Sequence, residues 1–131
     1  MPRTSHHVVA LMVGGLAFGL ATASLGAAGP TDLRVVYRAD TGAAARVTTL
    51  RCSPPGGTVV HPAAACRQLE THGRTAFAPT PRGMACAQIY GGPQTALVTG
   101  TLDGARVWAR FTRRDGCAVA RWNRVAFLLG S

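Results

Sequence analysis

Four cysteines, Cys52, Cys66, Cys86 and Cys117, are the residues of this sequence whose type and spacing best support a defined chemistry. Cysteines in such an arrangement either bind a metal ion or form disulfides. The sequence has no Cys-x-x-Cys pair and no histidine at ligand spacing from a cysteine pair, so no zinc site is expected. An even number of cysteines in a chain with an export signal favours disulfides. Four cysteines allow three pairings, and the sequence alone does not choose among them.

Catalysis by this chain is not expected, because the residue patterns that catalysis needs do not occur in it. Outside the first 28 residues, histidine occurs at His61 and His72, and His61 precedes Pro62, where a structural role is expected. No serine lies in a Gly-x-Ser-x-Gly context, and no glycine-rich phosphate-binding motif is present. No two carboxylates are close in sequence. The sequence therefore predicts neither an active site nor a cofactor.

A secretory signal is predicted over residues 1–28. A basic start is followed by an apolar stretch from residue 8 to residue 20 and then by small residues. This layout predicts cleavage after Ala23 or Ala28. A retained membrane anchor is the alternative, because the apolar stretch and the small residues carry no charge, but the small residues favour a cleaved signal. We therefore expect a secreted, extracellular protein with one domain over residues 29–131 and no membrane contact after cleavage.

The charge of the chain is strongly positive. Fourteen Lys plus Arg residues, all of them arginine, face five Asp plus Glu residues, and the formal net charge is +9. Such a surface can attract nucleic acid, anionic envelope polymers or an acidic protein. The arginines are scattered, however, and Arg113 and Arg114 are the one adjacent pair. The pattern favours a solvated exterior, and no nucleic-acid partner is expected.

The order of apolar, proline and glycine residues predicts an α+β domain with a mostly antiparallel sheet of about five strands and one or two helices, of which one is clear. Strands are predicted at 33–37, 44–52, 95–102, 105–113 and 125–129. The helix should start at Pro62 and end before Gly73, since proline favours the first helical turn and glycine the position after the last. Asp103-Gly104 between two alternating runs predicts a two-residue hairpin turn.

The second strand of this hairpin has two chemically different faces. Val107 and Phe111 share one face, whereas Arg106, Trp108 and Arg110 share the other. A tryptophan among arginines is unusual on a solvated surface. It either covers a second layer, marks a self-association patch, or is a lone exposed aromatic shielded by arginine stems.

One short segment resembles an exposed peptide that is offered to a binding partner more than it resembles part of a hydrophobic core. It consists of Met84, Ala85, Cys86, Ala87, Gln88, Ile89 and Tyr90. A stretch with two prolines, residues 76–83, precedes it and cannot form a regular element. Gly91, Gly92 and Pro93 follow it. The segment should therefore be an exposed loop with Cys86 near its middle.

Three blocks of this sequence resemble the bacterial subtilisin inhibitor-like family. The run Cys52-Ser-Pro-Pro-Gly-Gly-Thr with His61-Pro62 and Ala65-Cys66-Arg-Gln-Leu resembles its first disulfide block. Residues 84–90 with Pro93 resemble its reactive-site block. Residues 103–111, 115–117 and 125–127 resemble its closing hairpin and final strand. The likeness covers nearly all of residues 29–131.

The resemblance implies a fold and a function. It implies a five-stranded antiparallel sheet with helices on one face, a homodimer formed through sheets, and tight reversible inhibition of subtilisin-like serine proteases. It also implies sequential disulfides, Cys52–Cys66 and Cys86–Cys117. The reactive bond of the family lies between the second and third residues after the loop cysteine, here Gln88–Ile89.

Several residues depart from the pattern of the family. Gln88 stands where members usually carry methionine or a basic residue, Ala87 where they usually have proline, and Asp115 where an asparagine is common. Asp115 is expected to support the loop by accepting hydrogen bonds from its backbone, or else to be a simple turn residue. The alternative function is a non-inhibitory secreted module of the same fold. It would bind an anionic envelope polymer or a protein through its arginines and Trp108.

Overall fold

The structure, a computed structural model, describes residues 29–130. The predicted secretory signal over residues 1–28 and its cleavage lie outside the described residues. Among the described residues, no helix has the length and apolar character needed to cross a membrane.

The described residues form five strands, three α-helices and one short 3-10 helix. The strands are β1 (Thr31–Arg38), β2 (Arg46–Cys52), β3 (Gly56–Gly57), β4 (Gly92–Leu102) and β5 (Ala105–Arg113). The α-helices are α1 (Pro62–His72), α2 (Gly116–Arg124) and α3 (Ala126–Leu129), and the 3-10 helix spans Gly73–Phe77.

The strands form one antiparallel sheet in the order β3-β2-β1-β4-β5. The Asp103-Gly104 turn joins β4 to β5, as the sequence predicted, and both turn residues have a positive φ. The predicted α+β class, the antiparallel sheet of five strands and the helix from Pro62 are thus confirmed. The strand β5 is an edge strand, and the segment that follows it folds back onto β5 as α2.

The core lies between the sheet and the helices. Alternate residues of the strands, among them Leu33, Val35, Val98 and Phe111, are buried on one face. The helices pack on this face: α1 contacts β2, α2 contacts β5 and α3 contacts β1. As the resemblance implied, the helices lie on one side of the sheet.

The predicted strand at residues 125–129 is wrong, and the described residues form three α-helices where one or two were expected. These residues begin at the C-cap of α2 and form the short helix α3, whose Leu128 and Leu129 are buried. A five-residue apolar run is too short to show whether its period is that of a strand or a helix. The fifth strand is instead β3, a two-residue glycine strand in a segment predicted to be a loop. Gly57 pairs with Leu50 at a φ of 108°, a conformation that favours glycine.

Both disulfides have the sequential pairing. Cys52 at the end of β2 is bonded to Cys66 in α1, so the first bridge joins the sheet to this helix. Cys86 is bonded to Cys117 in the first turn of α2. Among the described residues no cysteine is free.

Candidate functional site

The segment of residues 84–91, which we call the Cys86 loop, lies at one end of the sheet, where β4 begins and β5 ends. It forms no helix or strand, and it connects the proline-containing stretch after the 3-10 helix to β4. Ile89 is 62% and Tyr90 68% exposed, although both side chains are large and apolar enough to favour burial. Large apolar side chains exposed side by side indicate a contact surface.

The first leg of the Cys86 loop is fixed by two adjacent contacts with the start of α2. The Cys86–Cys117 disulfide holds the two Cα atoms 5.3 Å apart. The backbone amide of Gly116 donates a hydrogen bond of 2.8 Å to the carbonyl of Ala87. A side chain at position 116 would lie 3.3 Å from atoms of Ala87, so a glycine there permits the close approach. Cys86, two residues before Gln88, and Ala87, directly before Gln88, are therefore both anchored.

The second leg is fixed on the other side of that bond. The amide of Gly91 donates a hydrogen bond of 2.7 Å to the carbonyl of Arg113, the last residue of β5. A Cβ atom at position 91 would lie 2.6 Å from Cγ2 of Val119 in α2, a distance that requires something to move. Gly91 therefore lets the chain pass directly over α2.

The Arg113 side chain lies beneath this second leg. Its guanidinium is 5.7 Å from the centre of the buried Trp122 ring, and it donates a hydrogen bond of 3.3 Å to the side-chain carbonyl of Gln94 in β4. Its Nε atom is buried without a hydrogen-bond partner. The Arg113 side chain thus packs between the core and the second leg of the Cys86 loop, and it supports that leg.

The Cys86 loop is turned at Gln88. The amide of Ile89 donates a hydrogen bond of 2.9 Å to the carbonyl of Ala87, which closes a three-residue turn with Gln88 at its centre. The side-chain nitrogen of Gln88, Nε2, donates a long hydrogen bond, 3.4 Å, to the carbonyl of Cys86. The side chain of Gln88 is exposed and contacts the backbone of its own loop.

Asp115 has a different partner from the one that its position suggested. Its carboxylate accepts a hydrogen bond of 2.8 Å from the amide of Ala118, and it thereby caps the N-terminus of α2. It also lies 3.4 Å from the exposed guanidinium of Arg114. The hydrogen bond to the Cys86 loop comes from the backbone of the next residue, Gly116. The support that Asp115 gives to the loop is therefore indirect, through the start of α2.

Oxygen and sulfur atoms of Asp115, Cys86 and Cys117 lie within 4.8 Å of one another, close enough to surround a metal ion. Both sulfur atoms are bonded in the disulfide, however, so neither is the thiolate that a metal ion would bind. This cluster belongs to the support of the loop.

Two arginines of α2 hold the stretch that leads into the Cys86 loop. Arg121 donates a hydrogen bond of 3.0 Å to the carbonyl of Ala78 and one of 3.2 Å to the carbonyl of Arg110. Arg124 donates to the carbonyls of Thr75 and Ala78, at 3.3 and 3.2 Å. Burial lowers the pKa of Arg121, and the nearby charge of Arg124 lowers it further.

Among residues 29–130, no helix or strand covers the face of the sheet opposite the helices. Val47 pairs with Val36 and Val36 with Leu97, so three apolar side chains form a row across three strands. Val47 is 45% exposed and Trp108, on β5, is 63% exposed. The guanidinium of Arg110 lies 5.9 Å from the centre of the Trp108 ring. Trp108 therefore covers no second layer among the described residues, and two of the three interpretations of it remain.

The sequence located the Cys86 loop and its cysteines but gave no sign of the residues that hold the second leg. Nothing in the sequence distinguishes Arg113 from other residues at strand ends or Val119 from other apolar residues. Both lie close to Gly91 because α2 folds back beside β5. The glycine pair 91–92 was the one available signal, because glycine favours close approach.

Comparisons with known proteins identify the family of this domain. The sequence profile described as subtilisin inhibitor-like matches residues 30–113. No curated protein matches the chain. Among solved structures, Streptomyces caespitosus sermetstatin, in a crystal structure of its complex with Bacillus licheniformis subtilisin, is similar at 26% identity. That similarity covers 74% of this chain and 97% of sermetstatin, with a TM-score of 0.48. The profile covers more than half of the 131 residues, and the chain therefore belongs to the subtilisin inhibitor-like family, which is a family of inhibitors and not of enzymes.

Proposed function

We propose that this protein is a secreted inhibitor of subtilisin-like serine proteases and that it presents Gln88–Ile89 as its reactive bond. The observation that carries the proposal is that the exposed Cys86 loop is held on both sides of this bond. Cys86 and Ala87 are tied to the start of α2, and Gly91 is tied to the end of β5. The membership of the chain in an inhibitor family supports the same function.

The loop would bind as a substrate binds. Ala85 and Cys86 would pair with the protease as an added strand, and Gln88 would enter the primary pocket with its carbonyl carbon facing the nucleophilic serine. Ile89 and Tyr90 would lie on the leaving-group side. A flexible substrate loses about 0.5–1.5 kcal/mol for each side chain that becomes ordered on binding. A loop that is already ordered loses less, and its affinity is correspondingly higher.

The anchors would also protect the inhibitor from destruction. If the protease cuts the bond, the disulfide and the hydrogen bond of Gly91 to Arg113 keep the new amine beside the acyl-enzyme. The amine then reacts at a high effective concentration, which favours re-formation of the bond over release of the fragments.

Gln88 narrows the range of targets. A trypsin-like pocket contains a buried carboxylate that a neutral glutamine would leave without a cation, and this is costly. A broad apolar pocket accepts glutamine, with a loss of about 1–3 kcal/mol relative to a well-fitting apolar side chain. To enter either pocket, the Gln88 side chain must release the carbonyl of Cys86.

We further propose that the protein forms a homodimer through the uncovered face of its sheet. The row formed by Val47, Val36 and Leu97, together with Trp108, provides an apolar surface on a face that no helix covers. The Cys86 loop lies at one end of the sheet, so two copies joined in this way could both present their loops.

Titration of subtilisin with the purified protein tests the proposed inhibition. We expect loss of activity in proportion to added protein, with an end point at one inhibitor chain per protease. Undiminished activity at equimolar concentrations would contradict the proposal, and so would rapid degradation of the protein. Binding to an anionic polymer that weakens with salt, without inhibition, would favour the binding-module alternative.

A further inference from the structure

A cleft of about 420 Å³ lies directly beside the Cys86 loop, between the stretch that precedes the loop and α2. Its lining includes the apolar side chains of Met84, Ala87 and Ala120 and, near the start of α2, the half of the second disulfide that Cys117 contributes. Arg121 and Arg124 line it as well. The cleft therefore combines an apolar wall with two cations.

Within the described residues, the two cations have no anionic partner. Among residues 29–130, the one ion pair joins Arg114 to Asp115, and no carboxylate approaches Arg121 or Arg124. Their partners are the backbone carbonyls of Thr75, Ala78 and Arg110. A guanidinium has five N–H donors, and each of these two uses two of them in these bonds. Two like charges lie close together with donors to spare.

An acidic side chain would fit this arrangement. A carboxylate accepts the remaining N–H donors and relieves the repulsion between the two guanidinium groups, and hydrogen bonds between charged groups are stronger than neutral ones. The apolar wall excludes water from one side of such a contact, which strengthens it further. The lowered pKa of Arg121, caused first by burial and then by Arg124, agrees with an environment that lacks a negative charge.

The position of the cleft identifies where that side chain would come from. Met84 and Ala87 belong to the Cys86 loop and also line the cleft, so a protein that closes over the loop must also cover the cleft. We propose that the cleft between residues 80–84 and α2 receives a glutamate or aspartate side chain from the rim of the target protease. This inference rests on the proposed function. It adds a preference for proteases that have an acidic residue beside the part of the active-site cleft that binds residues N-terminal to the cut bond.

Cross-linking provides a direct test, because this chain contains no lysine. An Arg124→Lys variant would carry its one side-chain amine in the cleft. The matched control is Arg67→Lys, on the exposed surface of α1, which packs on β2 and the 3-10 helix. Each variant is bound to subtilisin and treated with a carbodiimide, which joins amines to carboxylates in contact, and the cross-linked peptides are identified by mass spectrometry.

We expect a cross-link from position 124 to an aspartate or glutamate of subtilisin and none from position 67. The inference is overturned if position 124 gives no cross-link in a complex that forms, or if it reacts with a second copy of this chain instead. Failure of the unmodified protein to inhibit subtilisin would overturn the proposed function as well, and this outcome is visible before any cross-linker is added.

Association kinetics give a second, independent readout. Arg124→Gln should lower the rate constant for association with subtilisin by about 3- to 10-fold at low salt, and the difference should shrink at high salt. Arg124→Lys should keep most of the wild-type rate because it keeps the charge, and Arg67→Gln should change it little. Thermal unfolding of each variant separates this effect from a loosening of the Thr75 and Ala78 contacts. Equal rates for Arg124→Gln and Arg67→Gln would contradict the inference.

Discussion

The amide of Gly116 and the carbonyl of Ala87 are joined by a hydrogen bond of 2.8 Å, directly beside the Cys86–Cys117 disulfide. Two consecutive residues of the Cys86 loop are thus tied to two consecutive residues at the start of α2. With the hydrogen bond alone, the loop backbone could still pivot about Ala87. With the disulfide alone, the peptide group that follows Cys86 could still rotate. Together they fix the direction in which the chain enters the Gln88–Ile89 bond.

Removal of the second disulfide should turn the inhibitor into a substrate. The double variant Cys86→Ala/Cys117→Ala should lose about 2–5 kcal/mol in the free energy of unfolding, measured by denaturant titration. Because the first leg of the loop is then held by one hydrogen bond, subtilisin should cut the loop and release the fragments. The double variant Cys52→Ala/Cys66→Ala is the control: it should lose a similar amount of stability yet inhibit at temperatures where it stays folded. Equal inhibition by both variants would show that the bridge at the loop has no special role.

Replacement of Gln88 should change potency without changing stability. Gln88→Met should lower the inhibition constant for subtilisin by about 10- to 200-fold, the range for a better-fitting apolar side chain in such a pocket. Gln88→Pro should abolish inhibition, because it removes the amide of residue 88 and fixes its φ. The midpoint of thermal unfolding should stay the same for Gln88→Met, since the side chain is exposed. A potency that does not respond to either change would place the reactive bond elsewhere.

A methyl group at position 91 should disturb the second leg of the loop. In Gly91→Ala the new Cβ would meet Val119 at 2.6 Å, so the chain must lift away from α2 and weaken the hydrogen bond to Arg113. We expect a loss of about 1–3 kcal/mol in unfolding free energy, typical of overpacking, and faster cleavage by subtilisin. Gly42→Ala is the matched control, because a Cβ there makes an ordinary contact of 3.6 Å with Asp40. Faster exchange of the residue 91 amide with solvent deuterium in Gly91→Ala alone would confirm the mechanism.

Asp115 should affect the loop through α2. Asp115→Ala removes the N-cap of this helix and should cost about 1 kcal/mol in unfolding free energy. Asp115→Asn should cost less, since asparagine caps a helix about as well as aspartate. Inhibition should follow the same order as stability. If Asp115→Ala weakened inhibition strongly with unchanged stability, the carboxylate would instead contact the loop or the protease directly.

The proposed dimer predicts a site for a disruptive charge. Trp108→Glu places a carboxylate on the uncovered face of the sheet, and it should convert a dimer to a monomer in sedimentation velocity experiments. Val60→Glu is the control, because Val60 is 73% exposed and precedes α1 rather than lying on this face. A wild-type protein that sediments as a monomer would contradict the dimer and leave the role of the loop unaffected.

The sheet and the first helix could be predicted because their signals are local. The Asp103-Gly104 turn sets the register of β4 and β5 from the Leu102–Ala105 pair to the Ala96–Phe111 pair, and Pro62 and Gly73 bound α1 from both ends. The end of the chain could not be predicted in the same way. Val125–Leu129 is apolar in either conformation, and what makes it helical is its position at the end of α2, with Leu128 and Leu129 turned into the core.

The candidate site could be predicted in its exposed part and not in its support. The prolines, the glycines and the cysteine mark the Cys86 loop in the sequence, and the resemblance assigns a bond to it. The contacts of Gly91 with Val119 and Arg113 join residues that are far apart in the chain, and they depend on α2, a helix that the sequence did not predict. Asp115 likewise has its role because a helix starts there.

Mass spectrometry of the protein recovered from its complex with subtilisin shows whether Gln88–Ile89 is the reactive bond and whether it is re-formed. After long incubation we expect intact chain together with chain cut once, between Gln88 and Ile89, with the two parts still joined by the Cys86–Cys117 disulfide. The proportion of cut chain should approach a constant value. Cleavage at any other bond, or progressive conversion of the whole sample into fragments, would contradict the account.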